Sequence, residues 1–232
     1  MGLEVIDYIA TQEKSPIHSS NTSFKLLFAI TNTILILTTK SVYFPYATLA
    51  LLFIVMIVNR IPIFKILPLL FYPIFFSGLL VLGLGYDKVS GFWLITKAVA
   101  IATTMILIFV TTPIYNLFSV LQGFLPGFLV DGLFFTYRSF FIFHDLISNL
   151  ILAIKIKGGY GRLSILRNLK NIGGAVAITF IRALDGAERM KEVFHIRGYE
   201  IGNIKIQKEK MTIWNAYPIF LSVFIVLIYF WV

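Results

Sequence analysis

The residues of this chain whose type most readily suggests metal chemistry are three histidines, His18, His144 and His195. They are scattered, no further ligands accompany them, and there is no cysteine at all. A multi-histidine cage, a thiolate metal site and a Cys nucleophile are therefore set aside, and no cofactor or metal is expected. Gly158-Gly159-Tyr160-Gly161 could suggest a phosphate cradle, but no strand precedes it and no GKS/T follows. It reads as a helix C-cap and turn. Two short stretches remain: Ala153-Ile-Lys-Ile-Lys157-Gly158-Gly159 and Phe194-His-Ile-Arg197-Gly198-Tyr199. In each, a basic residue occupies the last turn directly before glycine. A cation favours a helix C-terminus, and glycine favours the left-handed residue that follows it. One such end is ordinary capping chemistry; two together look like a paired docking device.

The elements that must position these ends are set by composition. Of 232 residues, 58% are apolar and only 13% charged, and the mean hydropathy is +0.87. So little charge cannot cover a soluble globule, and so much apolar surface excludes disorder. Nucleic-acid binding is set aside as well, although the net charge is +9. An all-α, polytopic membrane protein remains. Five segments are apolar enough to be spans: Leu26–Thr39, Val42–Val58, about Ile66 to Leu84, Phe92–Val110 and Ile213–Val232. The first is short, and Lys25 and Lys40 on its flanks are expected to reach opposite interfaces. The third carries Pro68, Pro73 and Gly78, which predict a kink. Near the span ends, Lys14, Lys25, Arg60, Lys65, Lys205, Lys208 and Lys210 lie on one side, and only Lys40 and Lys88 on the other. Seven against two places the N-terminus in the cytoplasm and the C-terminus outside.

The stretch 111–212 separates the first four spans (1–110) from the last (213–232) and holds 13 of the 20 basic residues. Within it, no proline or glycine intervenes between Gly132 and Lys157, and Gly132–Lys157 reads as one helix. Its polar residues Arg138, Asp145, Ser148, Asn149 and Lys155 fall near one stripe. A helix lying against the cytoplasmic ends of the spans is the preferred reading, with a sixth span as the alternative. A second helix runs from about Gly174 to Ile196. Ala177, Phe180, Ile181, Leu184, Ala187 and Phe194 form its apolar steps, while Asp185–Arg189 and Glu188–Lys191 are spaced as ion pairs on a solvated face.

With these features placed, the sequence resembles the transmembrane T component of energy-coupling factor (ECF) transporters, closest to the cobalt/nickel type. The resemblance rests on three stretches: Ser15-Pro-Ile-His18 with Lys25-Leu-Leu; Leu125-Pro126, Tyr137-Arg138 and Ala153-x-Lys155-x-Lys157-Gly158; and Arg182-Ala-Leu-Asp-Gly-Ala187-Glu188-Arg189 through Arg197-Gly198-Tyr199. The family pattern at each helix end is Ala-Arg-Gly. Here the ends read Ile156-Lys157-Gly158 and Ile196-Arg197-Gly198, and lysine lacks the planar fork of arginine. The resemblance implies about five transmembrane helices plus long cytoplasmic coupling helices in a prokaryotic cytoplasmic membrane. It implies two ABC-type ATPase subunits docking at Lys157, Gly158, Arg197 and Gly198, and a substrate-binding membrane S component for a vitamin or transition-metal ion. Tyr137, Arg138, Ala153, Lys155, Ala187, Glu188, Arg189 and Tyr199 would support the coupling helices. It implies no catalysis by the chain itself, consistent with the lack of Walker motifs.

Two alternatives compete. Asp185-Gly-Ala-Glu188-Arg189 superficially resembles the aspartate-rich motif of lipid-headgroup phosphotransferases, but those use several aspartates and Asp185 has no second one within reach in sequence. A self-contained permease would use mid-span charge. Lys97 is the candidate for that charge, and it stands close enough to its span start to reach the interface.

Overall fold

A computed structural model of the chain describes residues 15–85, 87–158, 165–202 and 212–231. The described residues are helical, without strands, and divide into two compact units: residues up to Val120 together with the C-terminal helix, and Leu121–Ile206. The expectations at Lys14, Gly159, Tyr160, Gly161, Lys205, Lys208 and Lys210 lie outside the described residues.

The first unit contains α1 (Thr22–Thr38), α2 (Tyr43–Val58), α3 (Ile63–Leu84), α4 (Lys88–Thr111), the short α5 (Ile114–Leu121) and, after a 3-10 turn at Ile213–Asn215, α8 (Ala216–Trp231). Asn21 starts α1 by accepting from the Ser23 N–H at 3.0 Å, and its own N–H donates to Asn215 Oδ1 at 2.8 Å. α4 is central, packing against α1, α2 and α3, while α8 covers α1 and α2. The core between them is built from Phe28, Ile36, Leu52, Met56, Leu107 and Ile225. Pro68 and Pro73 lie inside α3, which nonetheless runs unbroken.

Two lysines join α1 to α4. Lys25 is only 2% exposed, and its ammonium donates to Thr111 O at 2.9 Å and His18 O at 3.3 Å. Lys97 donates to Thr39 O at 2.8 Å and stands 4.0 Å from the Trp93 ring. Each ammonium thus sits on the C-terminal carbonyls of the neighbouring helix, where the helix dipole favours a cation. Lys25 is satisfied inside the unit by the α4 terminus, at the end of the candidate span Lys88–Thr111. Lys97 has a structural partner that accounts for its charge. Midway along the pair, the Asn32 amide donates to Thr104 Oγ1 at 2.8 Å.

Among the described residues, four segments are long and apolar enough to cross a membrane: Ile66–Leu84, Lys88–Thr111, Gly127–Ile156 and Ile213–Trp231. α1 and α2 have 17 and 16 residues and are shorter than the ~20 of a straight crossing. The chain is an all-α polytopic membrane protein.

The second unit is a pair of long helices, α6 (Gly127–Ile156) and α7 (Ile165–Ile196). Both begin earlier than the sequence predicts. α6 starts directly after Pro126 and passes through Gly132. α7 passes through Gly173 and Gly174. Interior glycine costs about 1 kcal/mol relative to alanine, too little to stop helices as long as these.

Candidate functional site

The two basic–glycine ends are alike in backbone geometry. At the end of α6, the Lys157 N–H donates to Ala153 O at 3.1 Å and the Gly158 N–H to Lys155 O at 3.1 Å, with Gly158 at φ +68°. At the end of α7, the Gly198 N–H donates to His195 O at 3.0 Å and the Tyr199 N–H to Phe194 O at 2.9 Å, again with φ +68° at the glycine. The second end is a complete Schellman motif, and the first shares its inner bond. Glycine is required at both because the left-handed conformation costs other L-residues roughly 1–2 kcal/mol. The residue before each basic side chain projects outward: Ile156 is 77% exposed and Ile196 84%. Each end therefore presents an apolar knob, a cation and a bare glycine to whatever lies beyond it.

The α7 end is held by a second set of contacts. The rings of Phe135, Phe194 and Tyr199 meet edge to face, with centroids 5.0–5.6 Å apart. The Tyr199 hydroxyl donates to the buried carboxylate of Asp131, which also accepts from the Gly202 N–H at 2.7 Å. Burial, followed by this hydrogen bond and the nearby negative charge, holds the Tyr199 hydroxyl above its usual pKa; the Gly202 N–H acts the other way. Gly127 permits the close crossing. A Cβ there would stand 2.6 Å from Gly202 O, a distance that backbone atoms cannot relax cheaply. Sequence reasoning missed Asp131. The available signal was a lone acid in the first turns of an otherwise apolar helix, just after Leu125-Pro126.

α6 and α7 run antiparallel. Phe135 near the start of one meets Phe194 at the end of the other, and Ile154 and Ile172 line a common groove at the opposite end. About 36 Å of helix lies between the levels of Ile172 and Ile196 at 1.5 Å rise per residue, so the two caps stand far apart.

Arg138, Ala187, Arg189 and Arg197 come together along one groove of about 810 Å³, joined there by Arg182 and Asp185. Lys155 and Lys157 lie at the other end of α6, and Ala153 and Glu188 are exposed outside this groove. Tyr137 is half-buried with its ring 5.0 Å from that of Phe141. Asp185, Glu188, Arg189 and Lys191 are exposed as the helical pattern predicts, but neither Asp185–Arg189 nor Glu188–Lys191 closes to ion-pair distance. Long side chains in solvent gain little by holding one geometry, so this spacing alone does not fix a pair. Among the described residues, no three His, Cys, Asp or Glu side chains converge. His18, the partner of Ser15 Oγ at 2.7 Å, has its pKa lowered to about 4 by burial and by the Lys25 charge, partly offset by a bond to the Val110 backbone.

Compared with known families, residues 13–207 match CbiQ, described as cobalt transport protein. No curated protein matches the chain significantly.

Proposed function

The chain belongs to the CbiQ cobalt transport protein family, and from that premise we propose that it is the coupling subunit of an ATP-driven importer. Membrane transport is the family's role; the division of labour is our reading. Two ABC-type ATPase subunits dock at the two caps, one at Ile156-Lys157-Gly158 and one at Ile196-Arg197-Gly198. A separate substrate-binding S component rests on the outward apolar face of α7, where Ile181 and Leu184 are more than half exposed. The chain itself carries out no catalysis.

The observation that carries this reading is the repetition of one backbone device at two well-separated helix ends. A single cap is a local solution to helix termination. Two caps with the same φ, an exposed isoleucine and a cation at the same positions, about 36 Å of helix apart, suit two copies or two homologues of one partner. The exposed knob supplies apolar burial, and the cation meets a carboxylate on the ATPase. α6 and α7 are continuous helices of 30 and 32 residues, and they act as levers between ATPase closure and the bundle. The sidedness follows from the lysine and arginine distribution: both caps and the N-terminus are cytoplasmic, in a prokaryotic inner membrane.

The test is Arg197→Glu in cells producing the chain together with ABC ATPases that copurify with the unmodified chain. Loss of both ATPase copurification and cobalt uptake is expected, with the variant still in the membrane. Unchanged association and unchanged uptake would overturn the reading.

A further inference from the structure

We infer that the furrow between α6 and α7 binds an anionic phospholipid, with its phosphate at the arginine end and one acyl chain along the apolar end. The furrow has two chemically distinct halves. One, of about 460 Å³, is walled by Ile147, Leu150 and Ile154 of α6 and by Ala175, Thr179 and Ala183 of α7. Thr179 contributes the only hydroxyl among these six, and it donates to Ala175 O at 2.8 Å, so nothing polar remains to be satisfied there. The other half, about 810 Å³, begins where Phe143 and Ala183 line both, and it carries Arg138, Arg182, Arg189 and Arg197 against the single carboxylate of Asp185. Among the described residues these four guanidinium groups have no ion-pair partner. Both volumes lie in the range of about 300–1,000 Å³ usual for small-molecule sites.

Charge complementarity selects the occupant. Four exposed guanidinium groups around one acid call for a group bearing concentrated negative charge, and guanidinium forks match phosphate oxygens in pairs. The continuous apolar extension calls for a chain with no polar atoms. A free phosphate satisfies the first half and leaves the second empty, whereas an anionic glycerophospholipid of the cytoplasmic leaflet satisfies both. Basic pockets between helices on the cytoplasmic side are the expected places for such headgroups. The lipid would also fill the furrow between two helices that meet at their aromatic end. Arg197 is shared with the proposed ATPase contact, so the test changes Arg138 and Arg182 instead and contains no ATPase.

The test uses the purified full-length chain in detergent doped with equal amounts of phosphatidylglycerol and phosphatidylcholine, with retained lipid counted by native mass spectrometry. Retention of phosphatidylglycerol at least about fivefold above phosphatidylcholine is expected, unaffected by millimolar inorganic phosphate. Arg138→Gln with Arg182→Gln should bring the ratio to parity. Ala183→Leu, which blocks the junction of the two halves, should lower retention of phosphatidylglycerol without touching any charge; a thermal melt of each variant confirms that it is folded. Parity in the unmodified chain, displacement by inorganic phosphate, or a ratio unmoved in both variants would overturn the inference.

Discussion

The two units use similar helices to opposite ends. In the first, α4 has 44% of its most apolar stretch buried among its neighbours, and its terminal carbonyls are met by a buried lysine. In the second, α6 is comparably long and apolar, yet none of its corresponding stretch is buried. The first unit pairs several of its buried polar side chains internally. Asn32 finds Thr104, Lys25 finds Thr111, Lys97 finds Thr39, and Asn59 finds Tyr217. The second leaves isoleucines, arginines and a long furrow unmatched, apart from the anchor made by Asp131 and Tyr199. Apolar composition alone does not distinguish a helix that completes a bundle from one that awaits a partner. Where the polar groups end up does.

That contrast can be broken most severely in the first unit. Lys25→Met removes the donor to two buried carbonyls and should cost about 2–3 kcal/mol, read as a lowered melting temperature of the detergent-purified chain. A loss no larger than that of an exposed lysine substitution such as Lys155→Met would show that the buried cap contributes nothing. In the second unit, the sensitive positions are the few that are internally tied. Gly127→Ala forces α6 away from Gly202 and should cost about 1–3 kcal/mol, accompanied by a fall of the Tyr199 pKa toward its ordinary value in an ultraviolet titration. Gly198→Ala places an L-residue at a left-handed position and should cost about 1–2 kcal/mol, with Gly158→Ala matching it if the two caps are equivalent.

The smallest effect is in pH. His18 has a folded pKa of about 4 against an ordinary 6.5, so the neutral form is the one that the fold favours. Its contribution is fully present above pH 6.5 and is lost as pH falls toward 4. His18→Gln should flatten the melting profile over that interval; an identical slope in both proteins would assign the pH dependence elsewhere. Ile196→Ser should leave the melt within about 0.5 kcal/mol while weakening ATPase capture.

Much of the second unit was legible in the sequence, because its signals are local. A basic residue before glycine specifies a cap within one turn, and both Gly158 and Gly198 take the conformation that this pattern requires. The helix starts were not legible in the same way: Gly132 and Gly174 read as boundaries, but each is a weak penalty that the surrounding residues override. In the first unit the partner of Lys25 was not legible. Hydropathy sees a lysine beside an apolar run, but its partner is a backbone carbonyl 86 positions along the chain, which has no side-chain signature. Asp131 was hidden for the same reason, since one of its partners is the N–H of Gly202.

The central claim is that the two caps are equivalent and serve two ATPases. It is tested most directly by the ATPase retained on affinity-purified chain carrying Lys157→Glu, Arg197→Glu or both. Reversing one member of a desolvated ion pair costs about 3–5 kcal/mol, more than a hundredfold in affinity. The account predicts reduced ATPase on each single variant and none on the double. A double variant that retains the wild-type amount would contradict it.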